Sequence, residues 1–151
     1  MKVTIRPAAP EDAPAIAGCL TALGYGTSAT LVAAKLSATA DSSVDTALVA
    51  EYASAGIVGV VSVHLLPLFH AAGNLARLTA LAVRPDHHRK GVGRALVAAA
   101  ERFAWEHQCG RVEVTSVTIE RKRTRSTTPW GTQWTSGVLS SIDRLNSSDD
   151  R

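Results

Sequence analysis

The chain has 151 residues, 46% hydrophobic and 19% charged, with a net charge of +3. That length suits one domain, and the composition excludes a wholly disordered chain. No apolar run reaches the ~20 residues of a membrane-spanning helix. Cys19 and Cys109 are too few for a disulfide framework or a metal set. Residues 1–6 hold no apolar leader before Pro7. The expectation is therefore a cytoplasmic domain with reduced thiols, no metal and no membrane partner. The positive charge is no nucleic-acid footprint. Residues 1–116 hold ten Lys/Arg against nine Asp/Glu, and the only dense basic run is Arg121-Lys122-Arg123 with Arg125.

Residues 3–6 alternate and read as a short strand. Pro10-Glu11-Asp12 opens a helix, because proline is tolerated in a first turn and carboxylates favour its positive end. Ala13, Ile16, Ala17, Leu20 and Leu23 carry that helix to Gly24. Ser28 is placed to cap a second helix with Leu31, Ala34 and Leu36 as its apolar side. Residues 46–53 and 57–66 are strands joined by a tight turn, which implies an antiparallel hairpin. Residues 75–83 form a third strand of this meander. After a loop at 85–90, residues 91–107 form a helix with Val92, Ala95, Ala99 and Phe103 as its stripe. Gly110 is read as its stop, and a strand follows from Arg111.

The chemistry-bearing stretch runs Leu81-Ala82-Val83-Arg84-Pro85-Asp86-His87-His88-Arg89-Lys90-Gly91-Val92-Gly93-Arg94. A strand ends, a basic loop follows, and a helix starts on two glycines. A helix N-terminus leaves N–H groups without intrahelical partners and carries partial positive charge. Glycines let an anion approach the backbone, so a pyrophosphate is the natural guest.

This segment, with the antiparallel meander before it, resembles the acetyl-CoA-dependent N-acetyltransferases of the GNAT superfamily. Their signature is Arg/Gln-x-x-Gly-x-Gly/Ala on the loop that opens the central helix. Ile5-Arg6-Pro7-Ala8 with Pro10-Glu11-Asp12 is similar to the family's usual start, so the resemblance covers residues 1–116. One departure is His88 at the Arg/Gln position. The resemblance implies an α/β (α+β) fold, a mixed and mostly antiparallel twisted sheet flanked by helices. It implies acetyl-CoA as cosubstrate and a small-molecule or peptide amine as acceptor, and homodimers are frequent in the family. The N–H groups of His88, Arg89, Lys90, Gly91, Val92, Gly93 and Arg94 would cradle the pyrophosphate. The backbone of Leu81, Ala82 and Val83 would pair with the pantetheine arm, one N–H polarising the thioester carbonyl for direct attack by a neutral amine.

The proton acceptor is not inherited, because Arg77 stands where many relatives place a glutamate. Glu51 and His64, on neighbouring strands, are the candidates, directly or through water. The ordinary readings are a solvated strand-end carboxylate for Glu51 and a hydrogen-bonded strand histidine for His64. His87 is expected to be exposed, and Cys109 to be a small buried residue and not a nucleophile.

Residues 117–151 break the resemblance. Twelve of these 35 residues are Ser or Thr, and the family's C-terminal helix, with its tyrosine acid, and closing hairpin are missing or altered. The genetic code suggests a cause. Read one base out of frame, Trp130/Gly131 must encode Gly, and Ile119/Glu120 encodes Arg or a stop. Ser126/Thr127 and Gly131/Thr132 permit Tyr. These match the family pattern, so residues 117–151 behind a 1–116 core are read as a frameshifted tail, with a natural divergent tail as the alternative.

Two other readings compete. A non-catalytic acyl-CoA-binding module fits the Arg77 substitution and the missing tyrosine. A dinucleotide-binding Rossmann unit gains from Glu113, about 20 residues after Gly91, but has Leu96 at its third glycine and an antiparallel meander ahead.

Overall fold

The computed structural model describes residues 2–114 and, as backbone, two short strands at 126–127 and 133–134. The frameshift reading and the 117–151 boundary fall outside the described side chains. The elements are β1 (Thr4–Pro7), α1 (Ala13–Ala22), α2 (Ala29–Thr39), β2 (Asp45–Tyr52), β3 (Gly56–Pro67), β4 (Asn74–Val83), α3 (Val92–Glu106) and β5 (Cys109–Val114). The short strands β6 (Ser126–Thr127) and β7 (Gln133–Trp134) pair antiparallel with each other.

Strands β1 to β5 form one sheet in chain order. The first three pairings are antiparallel and β4–β5 is parallel, as a helical crossover through α3 requires. Each sheet face buries its own cluster. On one, Ile16, Ala17 and Val32 of the first two helices meet Val49, Val60 and Ala82. On the other, Val92, Leu96, Ala100 and Ala104 of α3 meet Val58, Val61, Val63, Leu78 and Val112. Gly59 allows this second packing. A Cβ there would lie 2.9 Å from Leu96 Cδ1, 3.0 Å from the Ala82 carbonyl oxygen and 3.2 Å from Val92 Cγ1.

Ser28 caps α2 as expected, its Oγ accepting from the Leu31 N–H at 3.1 Å. Asp12 is buried and plays a comparable part at the first turn. It accepts from the Ala9 N–H at 2.8 Å and from the Arg6 guanidinium at 2.8 and 2.9 Å.

Three helix readings need correction. The buried stripe of α3 is Val92, Leu96, Ala100 and Ala104, with Gly93 and Val97, while Ala95, Ala99 and Phe103 lie on its flank. The turn-to-turn spacing of four fits alanines equally well at either set, so composition alone could not orient the helix. Helix α2 buries Val32 and leaves Leu31 and Ala34 exposed. Gly110 does not stop α3. The helix ends at Glu106, Gln108 takes the left-handed conformation at φ 57°, and Gly110 lies inside β5.

The sheet carries three one-residue irregularities. Tyr52 pairs with Gly56 and Glu51 with Ile57, but Ala50 pairs with Gly59, so Val58 is extra. Val63 pairs with Leu78 and Ser62 with Ala80, so Thr79 is extra. Asn74 pairs with Cys109 and Leu75 with Arg111, so Gly110 is extra. Bulges of this kind bend a strand and shift everything beyond them by one position.

Candidate active site

The described pairing of β4 with β5 runs from Asn74 to Leu78, where Leu78 meets Val114. The bulge at Thr79 follows immediately, and β4 continues to Val83 along β3. Among the described residues, nothing pairs with the outer edge of 79–83. Main-chain groups alternate sides along a strand. Arg84 donates its N–H to the Val58 carbonyl of β3 at 2.8 Å. Ala82 therefore faces β3 as well, and Leu81 and Val83 turn their main-chain groups to the open edge. His88 supports this, because its Nε2–H reaches the Val83 carbonyl at 2.8 Å.

That edge leads directly to the loop. Arg84 holds the loop's first turn, bonding Asp86 at 2.6 and 3.1 Å and the Ala55 carbonyl at 3.3 Å. Arg89 and Gly91 both take positive φ, 61° and 78°. Gly91 is the N-cap of α3, and no side chain among the described residues caps the helix. Intrahelical bonding starts with Ala95 N–H to Gly91 C=O at 3.0 Å, so the N–H groups of Val92 and Gly93 lie ahead of it. A Cβ at Gly91 would stand in open space. Arg89, Lys90 and Arg94 are exposed around this turn, while Val92 is buried and anchors it. The structure thus gathers His88 to Arg94 at one helix end, beside the edge carrying Leu81 and Val83. These residues fit an extended molecule ending in a pyrophosphate.

Glu51 and His64 are not brought together. Glu51 pairs with Ile57, and His64 lies seven residues further along β3, about 23 Å of strand. Glu51 is held by Arg6, Nε to Oε2 at 2.8 Å, near the first turn of the chain. His64 sits beside the Thr79 bulge, directly opposite Arg77. Its Nδ1 bonds Asp45 on β2, a residue that sequence reasoning missed. Asp45 is fixed in turn by the Ser42 hydroxyl, which donates to Oδ2 at 2.9 Å. Burial works to raise the Asp45 carboxyl, but the hydrogen bonds from His64 and Ser42 outweigh it and hold it below the usual range. Arg77 reaches Glu113 on β5 at 3.3 Å. Directly opposed residues share a sheet face, so Asp45, His64, Arg77 and Glu113 form one row across four strands.

His87 is not exposed as expected. Its ring packs against Tyr52 with centroids 5.5 Å apart and planes tilted by 35°, and its side chain is 14% exposed. Cys109 is buried, and burial pushes the thiols of both Cys19 and Cys109 up, away from the nucleophilic thiolate. Among the described residues, no group of three or more His, Cys, Asp or Glu could hold a metal. No described helix is long and apolar enough to cross a membrane. The largely antiparallel sheet also removes the doubly wound frame that a Rossmann unit needs.

The fold has well-populated company. A transcriptional regulator from Bacillus halodurans C-125 superposes with a TM-score of 0.68 at 20% identity, covering 76% of this chain and 82% of that one. A GNAT family acetyltransferase from Staphylococcus aureus gives 0.65 at 17%, covering 85% and 99%. Glucosamine-6-phosphate N-acetyltransferase from Arabidopsis thaliana gives 0.65 at 17%, covering 78% and 84%. No curated protein sequence matches significantly. The model of the acetyltransferase (GNAT) family matches residues 24–126, which include the meander, the basic loop and the helix it opens. On that match and this architecture, the chain belongs to the GNAT acetyltransferase family.

Proposed function

We propose that the chain transfers the acetyl group of acetyl-CoA to a primary amine. The observation that carries this reading is the edge of β4 left unpaired among the described residues, which runs from the Thr79 bulge straight to the glycine-led N-terminus of α3. The N–H groups at Val92 and Gly93, with Arg89, Lys90 and Arg94 around them, would hold the pyrophosphate. The N–H and C=O of Leu81 and the N–H of Val83 would hold the pantetheine arm as a strand partner. An edge N–H near the bulge would polarise the thioester carbonyl. His88 takes part through its ring, tying the loop to the end of β4.

The neighbour that acetylates glucosamine 6-phosphate makes amino sugars one class to test. Peptide N-termini and polyamines are others. The cytoplasm supplies both cosubstrates and is the compartment we propose. Arg77, where a glutamate would serve as base, favours a second reading, a module that binds acyl-CoA without turnover.

Calorimetric titration of acetyl-CoA into the chain and into Gly91→Glu tests the binding step. A carboxylate set against the pyrophosphate should weaken binding at least ~100-fold. Equal affinity in the two proteins would refute the site. Release of CoA with glucosamine 6-phosphate, spermidine or an alanine-terminated peptide then separates enzyme from binding module.

A further inference from the structure

We propose that Asp45 and His64 form a proton-accepting dyad, with His64 Nε2 as the general base for the acceptor amine and Asp45 as its positioning residue. This rests on the acetyl-transfer reading above. The geometry comes from the bulges. Counted from the turn at Tyr52 and Gly56 without an extra residue, Asp45 would face Val63. The bulge at Val58 moves His64 opposite Asp45. The bulge at Thr79 in turn moves Arg77 opposite His64. Both irregularities therefore serve one row, and Ser62, two residues from His64, bonds the bulge residue itself, Oγ to Thr79 Oγ1 at 2.9 Å.

As a carboxylate Asp45 can only accept at this position, and its other oxygen takes the Ser42 hydroxyl. A carboxylate accepting from Nδ1 fixes the neutral ring as the Nδ1–H tautomer and leaves the Nε2 lone pair available. Among the described residues Nε2 has no hydrogen-bond partner, and the His64 side chain is 38% exposed. The charged groups around the ring are Asp45 on β2, Arg77 on β4, and Glu113 and Arg111 beyond it on β5. Arg77 is turned toward Glu113, so the cation opposite the imidazole is offset by a carboxylate. In the transfer, the N–C bond forms and the C–S bond breaks. One amine proton passes to Nε2 and then to solvent, and sulfur leaves as thiolate, which takes a proton from water.

The test uses the full chain, His64→Gln and Asp45→Asn, each first titrated with acetyl-CoA to show that the cofactor site is intact. Nitrogen-15 NMR of the neutral ring should show Nδ1–H and a bare Nε2 in the wild type, and a mixture in Asp45→Asn. With the best amine of the panel above, His64→Gln should lower kcat about 10²–10⁴-fold with amine KM little changed, and should abolish the acid limb of the pH–rate profile. Asp45→Asn should lower kcat about 10–100-fold by loosening the ring. An Nε2–H tautomer in the wild type overturns the dyad, as does a His64→Gln protein that keeps wild-type kcat and the acid limb. A wild type that binds acetyl-CoA but acetylates no amine overturns the dyad as a base and leaves the cofactor reading standing. A folded wild type that binds no acetyl-CoA overturns the parent reading instead.

Discussion

Gly59→Ala tests whether α3, and with it the anion-binding turn, is seated on the sheet as described. The added methyl would meet two side-chain carbons and one main-chain oxygen at 2.9 to 3.2 Å, against the 3.5–4.0 Å at which carbon atoms rest. Leu96 and Val92 could normally swing aside, but they are 0% and 1% exposed, and the Ala82 carbonyl belongs to β4 itself. Overpacking of this kind costs about 1–3 kcal/mol. Restricting the unfolded chain returns about 0.4–1 kcal/mol, which leaves a net loss of up to about 2.6 kcal/mol, or about 1.3 kcal/mol at the midpoints. For a chain of this size that lowers Tm by about 2–8 °C. Relief comes most easily by lifting the first turn of α3, so acetyl-CoA affinity should fall with stability. Thermal melting by circular dichroism and acetyl-CoA calorimetry read the two effects. Gly110→Ala, with open space around its Cβ position and no left-handed backbone, is the control and should gain about 0.4–1 kcal/mol. A Gly59→Ala protein that melts with the wild type and binds acetyl-CoA as tightly would refute this seating of the helix.

Arg6→Gln leaves the buried Asp12 carboxylate with its Ala9 bond alone and should cost about 2 kcal/mol in urea unfolding at pH 7. The Arg6 hydrogen bond chiefly holds the Asp12 carboxyl low. Its stabilisation is present above the ordinary carboxylate value of about 3.9 and is lost as pH falls through the folded value. The gap between wild type and Arg6→Gln should therefore narrow below about pH 4, and a constant gap would count against the clamp. His88→Ala frees the Val83 carbonyl at an exposed site. It should cost under about 1 kcal/mol but weaken acetyl-CoA about 3–10-fold by loosening the loop; an unchanged Kd would show that the ring tie has no part in binding.

Local signals made most of the fold legible. Ser28 announced α2, the turn after Tyr52 announced the hairpin, and the glycine pair after a basic loop announced the anion-binding end of α3. What failed depended on counting across space. Asp45 was invisible as a partner of His64 because one unmarked residue, Val58, decides whether histidine or valine stands opposite it. A valine inside an apolar run carries no sign that it is extra. The stripe of α3 was misplaced because alanines recur along both candidate faces, and only the sheet decides between them. His87 was misread because its cover, Tyr52, comes from a strand 35 positions earlier.

The open stretch of β4 also bears on self-association. An unpaired strand edge is a template on which another copy's strand can add, and sheets left open tend to polymerise. Here the stretch unpaired among the described residues spans only 79–83. A bulge breaks it at one end, and at the other the molecule's own His88 ring occupies the last carbonyl. Between these stops Leu81 offers a donor and an acceptor, and Val83 offers only a donor. A neighbour's strand, typically 5–6 residues long, finds too few consecutive groups to register against, whereas a slender extended molecule needs no more. Among the described residues, the gap at 79–83 thus suits a slender ligand better than a second copy's strand.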